Sequence, residues 1–593
     1  MWDCEAVHRR GHNPPMLHRL IAGWVCAAWI GAAQAQDPLP SAVHDALRAA
    51  GLPAEALAAV ALPLRHRDRA WQHQAQRPMQ PGSSMKLVTS IVALDRLGPN
   101  HRGFTELRSA APLLGDTLQG ELVLLGGGDV ELGLPQLWAL LVDLQQAGVR
   151  HIAGDLLVDR SRYSPARLDL GLPPFDETPE FAYNVIPDAL MLAEGLLPLE
   201  LRATAGGVVA TTVPRIEGIE VDSRMTLVDA RCAEWDEHWQ PAQVQAEGGR
   251  TRITLQGSFP RDCTQRTRLQ LVDRAELTEK LFRTLWQGLG GTWAGRAREV
   301  AAPAGTRLLA SRGGRPWGEL LRHLNKTSDN AWTRVLYLEL GVPAMALQPG
   351  RSTRELADAA VREWFAEQGI DDTGLVLDNG SGLSRSERIS PLQMARLLKA
   401  AYLGRHASEL MMSLPTAGVD GTLRHRLKAG PATGWARLKT GTLRNVVALA
   451  GYVNDLQGRP WAVAMMINHD TLADRGRPVL DALVDHIARQ GPHAVAVLRG
   501  PQGEWPRSAR AMRRVHPVRP VCGRGWWSSA AASPACGRRA RWPARPSTSR
   551  SSTAPTTTCS SRCSTRWRPL ACRRRTSRRR CARSCATRPT CAC

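Results

Sequence analysis

The chain has 593 residues, 43% of them hydrophobic, which is long enough for several domains with a large buried core. Its formal net charge of +23 would be typical of a nucleic-acid-binding protein. The distribution of charge excludes that class for most of the chain, because the segment from Arg507 to the end holds 22 of the 77 basic residues and no acidic one. Before it, 55 basic residues face 54 acidic ones, so we expect no nucleic-acid partner.

The start of the chain has a pattern typical of an export signal. From Met16 a short basic stretch leads into an apolar run over residues 20–33, which ends at the A-x-A cleavage pattern Ala33-Gln34-Ala35. We predict a signal peptide over residues 1–35, with Met16 as an alternative start, and therefore a secreted, periplasmic protein. The apolar run is short for a membrane span, and no stretch in the body has the length and apolarity of one.

Apolar periodicity and turn residues predict a mixed helix and strand content for the body of the chain. Residues 41–62 are rich in Ala and Leu and helical in character, and residues 83–97 place apolar side chains at helical spacing. Short apolar runs bounded by Gly, Pro and Asp predict a β-rich region from about 105 to about 300, with runs at 121–125, 152–158, 207–213 and 251–255. Further helices are predicted at 277–288, 317–324, 330–340, 353–368 and 479–490, and consecutive strands at 437–440, 447–454 and 461–468.

The composition changes abruptly after about residue 497. From residue 506 onward the chain has no Ile, Phe, Tyr, Asn, Gln, Lys, Asp or Glu, so the segment 497–593 has little to bury and is predicted to be disordered. A basic arm for nucleic acid or an anionic surface is one interpretation. We favour a frameshift product of GC-rich DNA, because nine cysteines in a structureless tail would be a misfolding hazard for an exported protein.

Only two of the 13 cysteines, Cys232 and Cys263, lie in the body of the chain. A single pair fits one disulfide if the compartment is oxidising, and two unrelated thiols are the alternative. We favour the disulfide, because the export signal predicts such a compartment.

Three short motifs follow one another along the chain. They are Ser83-Ser84-Met85-Lys86 (S-x-x-K) at a predicted helix N-terminus, Ser328-Asp329-Asn330 (S-D-N), and Lys439-Thr440-Gly441 (K-T-G) on a predicted strand. Each alone has an ordinary structural explanation: a solvated helix face, a helix N-cap and a strand-to-turn ending. Together and in this order they are the signature of penicillin-binding proteins and related β-lactamases.

The spacing of S-x-x-K suits an activated serine nucleophile. Positions three apart share a helix face, so the Ser83 hydroxyl and the Lys86 amine can meet. A serine hydroxyl needs a neighbouring base, and a lysine can serve once desolvation and a nearby cation, which Lys439 could supply, lower its pKa. The chain has only six lysines, and arginine cannot act as a base. Two of the six lysines lie in these motifs, which indicates that the chemistry requires lysine there. The role of Lys326, which lies close to Ser328, is left open.

On these residues the chain resembles peptidase family S13, the class C low-molecular-mass penicillin-binding proteins, which are D-alanyl-D-alanine carboxypeptidases and endopeptidases. The resemblance runs from about residue 36 to about residue 492. It rests on QPGSSMKLVTSIVALDRLG (80–98), GELVLLGGGD (120–129), NKTSDN (325–330), DNGSGLSR (378–385), LPTAGVDGTLRHRL (414–427) and ARLKTGTLRNVVALAGYV (436–453).

The resemblance implies a role for each motif residue. Ser83 would be the acylated nucleophile and Lys86 the base that activates it. Ser328 would relay a proton, Asn330 would hold the substrate amide, and Lys439 would polarise the site.

The strand residues Thr440, Gly441 and Thr442 would form the substrate-binding edge. Thr440 and Thr442 would bind the terminal carboxylate of D-alanine, and the backbone N–H groups of Ser83 and Thr442 would form the oxyanion hole. The implied partners are peptidoglycan stem peptides ending in D-Ala-D-Ala and β-lactam antibiotics. The family needs no metal or organic cofactor, and peripheral association with the membrane or the cell wall is left open.

The implied fold is α+β. A penicillin-binding-protein/β-lactamase-like transpeptidase domain would comprise residues 37–105 and 285–495, with two inserted β-rich domains in residues 106–284, where a Cys232–Cys263 disulfide would fasten a small core. Three alternatives are weighed against this function. They are a β-lactamase, a cell-wall scaffold with a retained site, and a nucleic-acid binder that depends on the basic tail.

Overall fold

A computed structural model of the chain describes residues 37–490 except positions 66 and 472. The predicted signal peptide (1–35) and the predicted tail (497–593) lie outside the described residues. Besides short turns, the helices are α1 (Ser41–Ala50), α2 (Lys86–Arg96), α3 (Leu134–Gln146), α4 (Arg274–Gly288), α5 (Trp317–His323), α6 (Asn330–Glu339), α7 (Thr353–Glu367), α8 (Pro391–Leu403), α9 (Ala407–Ser413) and α10 (Arg477–Gln490).

The strands carry the remaining regular structure. They are β1 (Leu57–Pro63), β2 (Trp71–His73), β3 (Phe104–Ser109), β4 (Leu113–Leu114), β5 (Thr117–Leu118), β6 (Leu122–Gly127), β7 (His151–Ile152), β8 (Leu156–Asp159), β9 (Leu197–Thr204), β10 (Gly207–Thr212), β11 (Ile219–Ser223), β12 (Thr226–Val228), β13 (Trp239–Glu247), β14 (Arg250–Pro260), β15 (Thr264–Leu269), β16 (Thr292–Trp293), β17 (Ala297–Glu299), β18 (Arg307–Gly313), β19 (Arg437–Leu443), β20 (Val446–Asn454) and β21 (Pro460–Asn468).

A five-stranded antiparallel sheet in the order β19-β20-β21-β1-β2 organises the part of the chain that carries the motifs. The sequences of its inner strands are nearly continuous apolar runs, because helices pack on both faces of the sheet. On β20, Ala448 and Ala450 face a core shared with α2, α6 and α8. The alternate residues Val447 and Leu449 face a second core, shared with α1 and α10. The sheet is therefore a central layer with helices on both sides.

The long segment between α2 and α5, where the insertion is predicted and which we call the inserted segment, forms four further sheets. One hydrophobic cluster runs through these sheets together with α3 and α4. Strand β18 pairs with β3, and β17 pairs with β8. This pairing extends the segment to Gly313, and the boundary predicted near residue 285 falls inside α4. Cys232 and Cys263 form a disulfide within this segment, with their Cα atoms 5.3 Å apart.

The predicted helical character of residues 41–62 is wrong for its second half. Helix α1 ends at Gly51, whose φ of +63° is left-handed, and Leu57–Pro63 form β1 inside the central sheet. A short run that is apolar on every side fits a buried strand as well as a buried helix. The five helices predicted between residues 277 and 490 and the three strands predicted between 437 and 468 are present, with ends within three residues of the prediction.

Candidate active site

Ser83 lies in a 3-10 turn, Gly82–Met85, that leads directly into α2 at Lys86. The preceding Gly82 has φ +50°, and a Cβ there would lie 3.0 Å from the backbone nitrogen of Thr442. Only glycine allows the turn to approach β19 so closely. The close approach brings the Ser83 backbone and the Thr442 N–H to the same edge of the sheet, as the predicted oxyanion hole would require.

The Lys86 amine is fully buried and donates three hydrogen bonds. Its acceptors are Ser83 Oγ at 3.1 Å, Asn330 Oδ1 at 2.6 Å and the Ser381 carbonyl oxygen at 2.6 Å. The last two oxygens can only accept, so they hold two amine hydrogens in place. The third position on the nitrogen faces Ser83 Oγ, the one partner of the three that can also donate a proton.

Burial lowers the pKa of Lys86 to about 7, against the opposing charges of Asp329 and Glu387, while Arg334 lowers it further. The neutral amine is therefore accessible near neutral pH. In that form two hydrogens stay on the permanent acceptors, and the nitrogen lone pair faces the Ser83 hydroxyl. This is the arrangement that a base for Ser83 needs.

The S-D-N motif combines a helix cap with two site residues. Asp329 is the N-cap of α6, and its carboxylate accepts the N–H of Trp332 at 2.8 Å. Ser328 precedes it with φ +64°, unusual for a residue with a side chain, and Asn330 follows as the first helical residue. The helix-cap explanation of this motif therefore holds for Asp329, while Ser328 and Asn330 on either side of it remain predicted site residues.

The two flanking residues meet different lysines. Ser328 Oγ accepts a hydrogen bond from Lys439 Nζ at 2.8 Å, and Asn330 Oδ1 accepts the one from Lys86. The Asn330 Nδ2 group donates to the carbonyl oxygen of Tyr183 at 3.0 Å. Because Tyr183 belongs to the inserted segment, that segment fixes the orientation in which the amide oxygen faces Lys86.

Lys439 lies on β19, at the end of the strand order of the central sheet. Its fully buried amine donates to Ser328 Oγ and to the Thr440 carbonyl oxygen at 2.9 Å. Burial lowers the pKa of Lys439 well below its ordinary value, and the nearby charge of Lys86 lowers it further. A positive charge on Lys86 therefore disfavours the ammonium form of Lys439, and the converse holds by reciprocity.

A loop after α9 supports the K-T-G strand from the side. Thr440 Oγ1 bonds to Thr422 Oγ1 at 2.8 Å. Lys326, just before S-D-N, donates to Asp420 Oδ2 at 2.6 Å and to the Leu414 carbonyl oxygen at 2.9 Å. Lys326 therefore ties the S-D-N segment to the loop that carries Thr422.

A cavity of about 430 Å³ is lined by Ser83, Ser328, Asn330 and Thr442. Lys86, Lys439 and Thr440 are buried next to these residues. The inserted segment also lines the cavity, through Phe175, Asp176, Glu177 and Tyr183, and Arg385 and Arg444 complete a lining of mixed charge. Another cavity of similar volume, lined by Arg334 and Ser352, holds none of the motif residues, so we place the site at the Ser83 cavity.

Gly441 lies on β19 against the turn before Ser83, where a Cβ would fall 2.2 Å from the Pro81 carbonyl oxygen. The structure thus brings together the predicted site residues of the three motifs, and the disulfide pair lies apart from them in the inserted segment. Ser381 and Thr422 fall within segments of the family resemblance that the sequence predicts as loops flanking the cleft, but they are not among the predicted site residues. Sequence analysis missed Tyr183, which acts through its backbone carbonyl and so leaves no signal in the sequence. It also missed Glu387, a buried carboxylate behind the Ser381 backbone.

Two negative observations concern residues 37–490 alone. No group of three or more His, Cys, Asp or Glu side chains there could hold a metal ion. No helix in that part of the chain is long and apolar enough to cross a membrane.

A central antiparallel sheet covered by helices, with S-x-x-K, S-D-N and K-T-G around one cavity, defines the class of serine hydrolases related to penicillin-binding proteins. The chain belongs to the D-Ala-D-Ala carboxypeptidase 3 (S13) family, whose model matches residues 39–490. It is a serine-type carboxypeptidase of that family, which confirms the resemblance found in the sequence.

Relatives agree with this assignment, and a solved structure shares the fold. The chain is 31% identical over 447 residues to a D-alanyl-D-alanine carboxypeptidase of Actinomadura sp. (strain R39), covering 71% of this chain and 80% of the relative. It is 28% identical over 403 residues to the D-alanyl-D-alanine carboxypeptidase DacB of Haemophilus influenzae, covering 67% and 82%. The crystal structure of penicillin binding protein 4 (dacB) from Haemophilus influenzae matches with TM-score 0.64 and 24% identity, covering 75% of this chain and 99% of that chain. The predicted α+β fold class is confirmed.

Proposed function

We propose that this enzyme releases the terminal D-alanine of peptidoglycan stem peptides ending in D-Ala-D-Ala, through an acyl-enzyme on Ser83 with Lys86 as the base. The observation that carries the proposal is the environment of the Lys86 amine. Two of its partners can only accept hydrogen bonds, and the third is Ser83 Oγ at 3.1 Å. The amine can therefore gain a proton from Ser83 and from neither of its other partners.

Acylation follows from this arrangement. The neutral Lys86 amine takes the Ser83 proton while Oγ bonds to the carbonyl carbon of the penultimate D-alanine. The charge that develops on the carbonyl oxygen would be held by the backbone N–H groups of Ser83 and Thr442. The C–N bond then breaks, and the leaving nitrogen takes a proton from Lys86 through Ser328, so that D-alanine departs with a neutral amine.

Recognition of the substrate carboxylate would involve Thr440, Thr442 and Lys439. A carboxylate bound at the two threonines places a negative charge near the Lys439 amine, which favours its ammonium form. Because a charge on one of these lysines disfavours a charge on the other, a charge on Lys439 then favours the neutral form of Lys86. Substrate binding would in this way increase the fraction of Lys86 in the neutral form that can accept the Ser83 proton.

Hydrolysis completes the cycle, as water attacks the ester carbonyl carbon and Ser83 Oγ leaves with a proton. A β-lactam would acylate the same serine, because its ring is a strained amide. The opened ring keeps the leaving nitrogen attached to the acyl group, so water is hindered and the adduct persists. The predicted export signal would deliver the enzyme to the periplasm, where peptidoglycan lies, and peripheral association with the cell wall fits such a substrate.

The test is release of D-alanine from a stem pentapeptide by the purified protein and by Ser83→Ala. We expect release by the wild type alone, and a cross-linked muropeptide dimer in parallel gives the balance between carboxypeptidase and endopeptidase activity. Rapid turnover of benzylpenicillin without D-alanine release would instead make the protein a β-lactamase. If the protein consumed neither the pentapeptide nor benzylpenicillin, it would be a scaffold with a retained site.

A further inference from the structure

Glu387 lies outside the three motifs and is completely buried. Its carboxylate accepts three backbone N–H groups, and each belongs to the loop of residues 379–382, which we call the Ser381 loop. Oε1 accepts from Gly380 at 2.8 Å and from Asn379 at 3.1 Å, and Oε2 accepts from Gly382 at 2.8 Å. Both oxygens of one side chain therefore fix the backbone of this loop.

The Ser381 loop contacts both members of the S-x-x-K motif. Its Ser381 carbonyl oxygen accepts the 2.6 Å hydrogen bond from Lys86. Gly382, with φ +79°, lies so close to the turn before Ser83 that a Cβ would fall 1.9 Å from the Gly82 carbonyl oxygen. A shift of this loop would therefore move an acceptor away from the base and change the packing beside the nucleophile.

We propose that Glu387 is a positioning residue for acylation, which holds the Ser381 loop so that the loop fixes the Lys86 amine toward Ser83. The inference rests on the proposed acyl-enzyme function and extends it to a residue that touches neither the substrate nor the reacting atoms. It acts through the backbone N–H groups of Asn379, Gly380 and Gly382, and it needs no change in the chemistry of the motifs.

The charge of Glu387 adds a second effect. The groups that act on Lys86 are Asp329 at the start of α6, Arg334 on α6, Lys439 on β19 and Glu387 itself. The negative charges of Asp329 and Glu387 favour the ammonium form of Lys86, whereas Arg334 and Lys439 disfavour it.

Burial also raises the pKa of Glu387 to about 7, with Asp378 adding to the increase and the three N–H groups opposing it. Above that pH Glu387 is ionised and favours the ammonium form of Lys86. Removing its charge should therefore lower the pKa of Lys86.

These two effects distinguish positioning from general structural support. Glu387→Gln removes the charge and places an NH₂ group where one of the N–H donors needs an acceptor. Glu387→Asp keeps the charge and shortens the side chain. Thr89→Val removes a different anchor of the loop, the 2.8 Å hydrogen bond from Thr89 Oγ1 to the Gly380 carbonyl oxygen, without a change of charge.

Glu339→Gln is the matched control. Glu339 is also a buried carboxylate, and it accepts hydrogen bonds from Arg162, Tyr163 and His101 at the inserted segment. It makes none with the Ser381 loop. A loss of rate that follows from general destabilisation would appear in this variant as well.

The experiment measures the rate of benzylpenicillin acylation by intact mass for the wild type and the four variants, from about pH 5 to about pH 10, which spans the shifted and the ordinary lysine pKa. Glu387→Gln should slow acylation about 10- to 100-fold at alkaline pH and move the acid limb of the pH profile down by about one unit. Glu387→Asp and Thr89→Val should lower the rate and leave the limb in place.

The inference would be overturned if Glu387→Gln kept the acid limb at the wild-type pH and an alkaline acylation rate within twofold of the wild type. It would also be overturned if the loss of rate in Glu387→Gln equalled that in Glu339→Gln. If Glu387→Gln does not fold, unchanged alkaline rates in both Glu387→Asp and Thr89→Val would overturn it. Failure of the proposed function looks different, because the wild type itself would then form no adduct on Ser83.

Discussion

Lys86 Nζ and Asn330 Oδ1 lie 2.6 Å apart, although 244 positions separate the two residues in the sequence. The inserted segment occupies most of that interval and returns to the site through Tyr183, whose carbonyl oxygen accepts from the same Asn330 amide. The Lys86 amine is therefore oriented by Asn330 of the S-D-N motif, and Asn330 is oriented by the carbonyl oxygen of Tyr183.

Acylation of Ser83 should depend steeply on pH. Because burial lowers the pKa of Lys86 to about 7, and only the neutral amine can accept the Ser83 proton, acylation should fall about tenfold per pH unit below that value. The measurement is the rate of benzylpenicillin acylation across the pH range. Lys86→Arg is the control, since arginine stays protonated and should show no acylation at any pH. A flat profile between pH 5 and pH 8 would contradict the assignment of the base.

Asn330→Asp should shift the pH profile of acylation toward alkaline pH. A carboxylate in place of the amide lies beside the Lys86 amine and favours its ammonium form, which raises the pKa of Lys86 by about 1 to 3 units. Acylation at neutral pH should fall by at least tenfold and recover at alkaline pH. Asn330→Ala, which adds no charge, should lower the rate without this alkaline recovery. An acid limb of Asn330→Asp at the wild-type position would show that Asn330 does not contact the base in solution.

Asp420→Asn should weaken substrate binding more than turnover. The Asp420 carboxylate holds Lys326 and the backbone N–H of Thr416, and the same loop carries the Thr422 hydroxyl against Thr440. We expect KM for a D-Ala-D-Ala peptide to rise about tenfold with a smaller change in kcat. Asp372→Asn removes an exposed ion pair with Arg362 and should change neither constant. Equal loss of kcat and kcat/KM in Asp420→Asn would contradict a binding role.

Removal of the disulfide should affect stability and spare catalysis. Cys232 and Cys263 enclose a loop with a sequence separation of 31 in the inserted segment, so replacing both by alanine should lower the free energy of unfolding by about 2 to 4 kcal/mol. Thermal unfolding measures the loss, and reducing agent should reproduce it in the wild type. The rate of benzylpenicillin acylation should stay within twofold, and a larger decrease would mean that the disulfide supports the cleft directly.

The parts of the site that sequence analysis predicted are those in which side-chain chemistry dictates the residue. Lys86 and Lys439 stand out because arginine cannot replace a base, and Ser83 lies three positions from Lys86 on one turn. Ser328 and Asn330 follow from motif order. Nothing in the sequence reports that Asp329 rather than Ser328 caps α6, because both residue types serve as caps.

What the sequence could not predict depends on tertiary contacts. The Tyr183 carbonyl acts through the backbone, and any residue could supply it. Glu387 is a charged residue in a segment with no apolar pattern, so the sequence does not predict that it is buried. Its burial results from tertiary contacts with the Ser381 loop. Leu57–Pro63 is apolar on both faces, so its sequence fits a buried helix as well as a strand. Its pairing with β21 and β2 is what makes it a strand. The pairing of β18 with β3 joins strands about 200 residues apart, which no local pattern reports.

The central claim is that Ser83 is acylated, and intact-mass analysis of the purified protein with benzylpenicillin tests it most directly, with Ser83→Ala alongside. We predict a single stable penicilloyl adduct on the wild type, located by peptide mapping to the segment that contains Ser83, and none on Ser83→Ala. An adduct that persists on Ser83→Ala, or a wild type that neither gains the mass nor consumes the drug, would contradict it.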